Sequence, residues 1–237
     1  MVAKQALTGA SARRERGRQE MRAAILTAAA SIFEADGIDG LTIRAVAQAI
    51  GYSPGAIYEY FDSKEAILTA IYFEGTDGLG GFCERSVATM PPNASAVDAI
   101  IALGHAYRTY ALAHPDLYRL VFGGFKTPPS APPGECQDGD ADANGFDVLA
   151  DITARGVASG ELVDIPPPVI AINAWAAVHG FVSLEITGHL TGGDAPGEPP
   201  PSPEEGEQRR AALFEAQLRM VLLGIVKEEH RQPLGST

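Results

Sequence analysis

The stretch that decides the fold reads Leu41-Thr42-Ile43-Arg44-Ala45-Val46-Ala47-Gln48-Ala49-Ile50, then Gly51-Tyr52-Ser53, then Pro54-Gly55-Ala56-Ile57-Tyr58-Glu59-Tyr60-Phe61. Thr42 is a good N-cap, and Ile43, Val46, Ala47 and Ile50 recur at the spacing of one helix face. Gly51 ends that helix. Ser53 caps the next, whose first position is Pro54, where a missing N–H costs nothing. Ile57 and Phe61, four apart, face inward. Two short helices, expected to end near residues 50 and 60, joined at a glycine free to take positive φ, have the layout of a helix-turn-helix.

Working outward, Ile25, Leu26, Ala29, Ile32 and Phe33 form an apolar stripe that predicts a first helix over 18–35, stopped by Asp36-Gly37. Asp62 or Ser63 caps a fourth helix with Glu65 in its first turn and Ile67, Leu68, Ile71 and Tyr72 on one face. Further on, helices are expected over 96–114, 115–122, 146–159, 168–190 and 207–229. Connections rich in Pro, Gly and acid span 123–145, expected to be mobile, and 191–206. Strand-like alternation and internal repeats are absent, so the fold class is all-α. The expected organisation is a flexible basic arm (1–17), a helix-turn-helix domain of three helices (18–70), a larger helical domain (71–230) and a tail (231–237).

The chain has 237 residues, 46% of them apolar, enough to bury a substantial core. The most apolar run, 169–186, is interrupted by Asn173, His179, Ser183 and Glu185 and reads as a buried or interface helix rather than a membrane span. The basic N-terminus lacks the apolar run of a secretory signal, and Cys83 and Cys136 make no disulfide framework, so a cytoplasmic location is expected. A net charge of −12 argues against nucleic acid only if it is averaged. Residues 1–33 carry Lys4 and five arginines against Glu15 and Glu20, and residues 1–70 are balanced, which leaves the whole excess of acid on 71–237. Such asymmetry suggests a DNA-facing end. For the Arg-rich arm two readings stay open, a solvated segment and one that neutralises phosphates or enters a minor groove.

The second helix of a helix-turn-helix enters the major groove with its N-terminal end leading. With Ile57 and Phe61 inward, Ser53, Gly55, Tyr58 and Tyr60 are directed outward or toward the flanking backbone. Gly55 lets the helix approach closely, and the two phenols can donate to phosphates while their rings touch thymine methyls. Arg44 and Lys64 could bracket the groove through phosphates. Leu41-Thr42-Ile43-Arg44, residues 51–58 and Tyr60-Phe61-Asp62-Ser63-Lys64-Glu65-Ala66-Ile67-Leu68 together resemble the signature of the TetR family of bacterial regulators. The resemblance covers roughly 18–70 and implies contacts to operator DNA by Thr42, Arg44, Ser53, Pro54, Gly55, Tyr58, Tyr60 and Lys64. Ala56 departs from the pattern, standing where many relatives carry a hydrogen-bonding side chain. Trp175-Ala176-Ala177-Val178-His179-Gly180-Phe181-Val182-Ser183-Leu184-Glu185 resembles a Trp-His-Gly motif found in one class of C-terminal domains of that family.

The resemblance implies that the last two long helices pair with their copies in a homodimer, and a helix as apolar as 169–186 needs such cover. It also implies a mostly apolar site for an unidentified small-molecule effector, for which Phe82, Tyr107, Tyr110, Phe122, Trp175 and His179 are candidates. Trp175 and His179 share a helix face, as ligand contacts or as a packed pair. Gly75, Gly78, Gly80 and Gly81 suggest a bend in the fourth helix where the two domains meet. The expected function is a repressor that releases a palindromic operator on binding its effector. A dimeric DNA-binding protein without an effector is the second reading. An enzyme is the remote third: Gly51-Tyr52-Ser53-Pro54-Gly55 satisfies the letter of a nucleophile elbow, but a helix precedes Ser53 and Pro54 has no N–H for an oxyanion hole. The five histidines show no metal-ligand spacing and no phosphate-cradling glycine loop occurs, so neither metal nor cofactor is expected.

Overall fold

The computed structural model describes residues 9–91, 93–122, 145–190 and 201–231. Residues 1–8 of the expected arm, residues 123–144, 191–200 of the second connection, and all but Arg231 of the tail lie outside the described residues. Among the described residues regular structure is helical, apart from one isolated antiparallel bridge between Leu162 and Val226. The chain divides into two compact units. One holds the described residues up to Gly75 together with 116–122, and the other holds 76–115 and the described residues from 145 on. Residues 71–75 and 116–122, expected in the larger domain, side with the N-terminal unit.

In the first unit, α1 spans Gly9–Gly40, α2 Ile43–Ile50, α3 Pro54–Ile57 and α4 begins at Lys64; α6 is Pro115–Phe122. Helix α1 starts well before residue 18, which corrects the expectation of an unstructured arm through residue 17. Ala, Arg, Gln and Glu dominate 10–22, all good helix formers, so the segment can be helical without an apolar stripe. The expected stop at Gly37 appears as a break, with φ 68° and ψ −166°, followed by a further turn to Gly40. The core is built from Ile25, Leu26, Ala29 and Phe33 of α1, Val46 and Ala47 of α2, Ile57, Phe61, and Ile67, Leu68 and Ile71 of α4, closed by Leu120 and Val121 of α6.

In the second unit, α4 continues to Ala88, followed by α5 (Ala96–Ala113), α7 (Gly145–Ser159), α8 (Pro167–Ile186) and α9 (Pro203–Ile225). Helix α5 packs on α7, α8 and α9, and α8 on α7 and α9. Helix α4 runs unbroken through Gly75, Gly78, Gly80 and Gly81. Two of them serve close approach. A Cβ on Gly75 would come within 2.6 Å of Leu117, and one on Gly78 would collide with the Tyr110 hydroxyl. Helix α9 begins earlier than expected, because Ser202 and Glu205 form a reciprocal capping box with Pro203 in the first turn. Helix α8 ends at Ile186 rather than near 190, and Gly188 takes φ 76° just beyond it.

Polar groups tie these helices together. Glu185, only 4% exposed, accepts from Arg108 Nη2 at 2.6 Å and Nε at 2.9 Å and lies 3.3 Å from Arg210 Nε, which joins α5, α8 and α9. Buried Thr153 donates to the Ala150 and Pro167 carbonyls. The Glu161 side chain accepts the Ala96 N–H at 2.8 Å, satisfying one of the free donors at the start of α5. Helices α5 and α7 approach closely at Gly156, where an added Cβ would lie 2.6 Å from Leu162 and 2.7 Å from Ala96. Gly156→Val should therefore overpack the α5–α7 contact and destabilise the protein by about 1–3 kcal/mol, read as a lowered midpoint in thermal or urea unfolding. An unchanged midpoint would mean that α5 and α7 do not meet this closely.

Candidate nucleic-acid interface and effector cluster

Helix α3 is short and is held from both ends. Thr42, with extended backbone, accepts the Ala45 N–H at 3.1 Å and starts α2. Gly51, at φ 75° and ψ 29°, turns the chain, while the Tyr52 N–H donates to the Ala47 carbonyl at 2.9 Å. Ser53 then accepts the Ala56 N–H at 3.3 Å and Pro54 opens α3. That use of the Ser53 hydroxyl, between two helices, has nothing of a nucleophile elbow. Regular α-helix ends at Ile57 rather than at residue 60, and the chain continues as a turn in which Tyr60 and Phe61 both donate to the Ile57 carbonyl.

Burial sorts the candidates. Ile57 and Phe61 are buried, whereas Thr42, Arg44, Ser53, Pro54, Gly55 and Tyr58 are exposed, Tyr58 at 54%. Tyr60 is half-buried and packs against the core, so its ring is not fully presented to a groove. Lys64 is half-buried as well, and its ammonium donates to the Ile38 carbonyl just past the break in α1. It fixes the α1–α2 connection, a role that sequence alone did not indicate. Two further residues escaped the sequence reading. Tyr52, in the turn itself, is 51% exposed beside Ser53. Arg22 stacks its guanidinium 4.1 Å from the Phe61 ring centre and donates to the Tyr60 carbonyl at 3.2 Å. Burial and the nearby Arg18 charge lower the Arg22 pKa, opposed by Glu74. The signal for Arg22 was weak, since it reads as one more arginine of a basic run.

In the second unit, Tyr107 of α5 and His179 of α8 meet with the phenol oxygen 3.0 Å from Nδ1, and Trp175 lies beside the imidazole with ring centres 5.6 Å apart. Phe146 of α7 meets the Trp175 ring edge-on at 6.1 Å. Burial lowers the His179 pKa, favouring a neutral ring whose Nδ1 accepts from the phenol and whose hydrogen sits on Nε2. Phe82 and Tyr110 pair at 5.7 Å, and Tyr110 also stacks on His114 at 4.6 Å. Phe122 packs against the core of the first unit beside Tyr118.

Comparison with known proteins agrees with this geometry. Residues 25–71 match the family described as bacterial regulatory proteins, tetR family, and residues 100–221 match the tetracyclin repressor-like C-terminal domain. The HTH-type transcriptional regulator Rv0681 of Mycobacterium tuberculosis, itself uncharacterised, is 30% identical over 171 residues, which cover 70% of this chain and 71% of that protein. The regulator Mb1846 of Mycobacterium bovis is 25% identical over 223 residues, 82% of this chain and 86% of its own. A protein of unknown function from Rhodococcus sp. RHA1 superimposes with a TM-score of 0.64 at 28% identity, covering 84% of this chain and 94% of that one. Helix α8 is long and apolar enough to cross a membrane by length and composition, but it lies inside the matched C-terminal domain. The matched families and named relatives are regulators, not enzymes, and regulators of this kind bind operator DNA and act as dimers. The chain therefore belongs to the TetR family of bacterial transcription regulators.

Proposed function

We propose that the chain is a cytoplasmic homodimeric repressor that holds a palindromic operator through α3 of each copy and releases it when a small, largely apolar effector binds in the second unit. The observation that carries this reading is the two-sidedness of α3. Ile57 and the following Phe61 are sunk in the core, and Ser53, Pro54, Gly55 and Tyr58 are left on the outside. Two such helices about a two-fold axis read half-sites about 34–36 Å apart. Tyr58 and Tyr52 offer rings and hydroxyls to bases and phosphates, Arg44 and Thr42 flank them, and Lys64 steadies the frame.

Support for the dimer comes from α8 and α9. Val169, Ile172 and Leu184 are exposed on α8, and Leu213 and Met220 on α9, Met220 at 68%. Ala176 lies on the same outer side of α8 and Ala216 on that of α9. An apolar surface on two neighbouring helices fits a four-helix interface with a second copy. For the effector, Tyr107, Trp175 and His179, with Phe82 and Tyr110 one helical turn along α5, offer aromatic walls and a few polar anchors. Helix α4 carries Phe82 in the second unit and Ile67, Leu68 and Ile71 in the first, so a ligand that biases one end acts on the element that seats the other. The domain match to a tetracyclin repressor-like module favours repression.

Tyr58→Ala is expected to lose about 1–3 kcal/mol of specific operator affinity while leaving the dimer intact, measured by anisotropy on duplex defined by footprinting the neighbouring intergenic DNA; unchanged affinity would remove Tyr58 from the interface. Ile172→Glu combined with Met220→Glu should give a monomer by sedimentation and weaken operator binding, and a persisting dimer would place the interface elsewhere. In a thermal-shift screen of small apolar and aromatic compounds, a true effector at about one hundred times its Kd stabilises by about 2.7 kcal/mol. The same compound should lower operator affinity, and equal affinities with and without it would leave a dimer that binds DNA without a switch.

A further inference from the structure

The helical start of α1 changes what its arginines can do. Between residues 9 and 22 there are five arginines against two glutamates, and a helix sorts them by face. Arg14, Arg18 and Arg22 follow one another at intervals of four and share one side; Arg13 and Arg16 lie on another. The inner member of the stripe is fixed, since Arg22 lies over Phe61 and donates to the Tyr60 carbonyl, at the exit of the reading helix. Arg18 and Arg14 are exposed and make no ion pair among the described residues. The neighbouring acid is Glu15, exposed, whose carboxylate accepts from the Gln19 amide at 3.5 Å.

We infer that Arg14 and Arg18 form a second, sequence-independent contact surface of the first unit, made for the phosphate backbone of duplex DNA flanking the groove that α3 enters. The inference rests on the DNA-binding reading above. Its geometry follows from the helix: successive members stand about 6 Å apart along the axis, and one strand of the duplex presents a phosphate about every 3.4 Å. Two guanidiniums so spaced can each take a separate phosphate. Each has the forked donors that suit phosphate oxygens. A rigid helix anchored at Arg22 also holds them in place before binding, so less side-chain and backbone freedom is lost than for a flexible arm.

The test uses the full-length protein and a mixed-sequence duplex of about 30 base pairs, because the phosphate contribution does not depend on sequence. Binding is followed by anisotropy between about 50 and 200 mM salt. Arg14→Ala with Arg18→Ala removes two phosphate contacts from each copy of the dimer and should reduce the slope of log affinity against log salt by about 3.6, so that its deficit relative to wild type shrinks about 150-fold across that range. Arg14→Lys with Arg18→Lys should restore the slope, and Arg13→Ala with Arg16→Ala on the other face should leave it as in wild type. All variants should melt with the wild type. A double alanine variant with the wild-type slope, or an equal loss from the Arg13 and Arg16 pair, overturns the stripe and leaves the DNA-binding reading standing. Wild-type protein that ignores the duplex throughout overturns that reading and this inference with it.

Discussion

Everything at the DNA-facing end depends on how Ile57 and Phe61 are buried. A helix of four residues cannot hold itself together in water, where nucleation alone is unfavourable. Here it is assembled from outside. Burying an isoleucine or phenylalanine side chain contributes about 1.5–3 kcal/mol, the Ser53 cap satisfies a donor at the front, and Arg22 takes a carbonyl at the back. Because the two inward side chains fix the rotation of the segment, the exposure of Gly55 and Tyr58 follows without any contact of their own. The reading face is the side of α3 that the core does not need.

The second unit is organised on another basis. Its helices approach closely where side chains are missing, at Gly78, Gly104 and Gly156, and they are registered by charge at Glu185. A carboxylate that is 4% exposed would cost several kcal/mol to bury alone. Two hydrogen bonds from Arg108 and the Arg210 guanidinium offset that cost. Hydrogen bonding to Glu185 outweighs burial and raises the Arg108 pKa. The net stabilisation of such a cluster is small, but its directionality is not: it admits one rotation of α5, α8 and α9 about their axes. That rotation leaves Val169 and Ile172 on the outside of α8, and Leu213 and Met220 on the outside of α9.

Much of the first unit was legible because its signals are local. Thr42, Gly51, Ser53 and Pro54 act on the backbone within three or four residues of themselves, so caps and turn could be read directly, and the periodicity of Ile43, Val46 and Ala47 pointed to the core. The capping box at Ser202 and Glu205 was equally local; it was masked by the run of prolines and acids before it. What could not be read is non-local. Nothing in Phe122 tells that α6 sides with the N-terminal unit, and nothing in Lys64 tells that a carbonyl twenty-six residues earlier waits for it. The close approaches at the glycines of α4 were hidden for the same reason, since the partners, Leu117 and Tyr110, are far along the chain.

The overall charge of −12 and binding to a polyanion are reconciled by distance. At physiological ionic strength charges act over about 8 Å, so a phosphate responds to the side chains close to it and hardly to the rest of the molecule. Residues 1–70 carry no net charge, and over residues 9–22 at the start of α1 five arginines face two acids. As salt is removed the screening length grows, to about 30 Å at 0.01 M, and the acidic residues from 71 onward begin to repel the duplex that the arginines attract. Two opposing terms of different reach then compete. Affinity for nonspecific DNA should rise less steeply at the lowest salt than counterion release alone would give, which is why the phosphate contacts of a chain this acidic are best resolved at intermediate ionic strength.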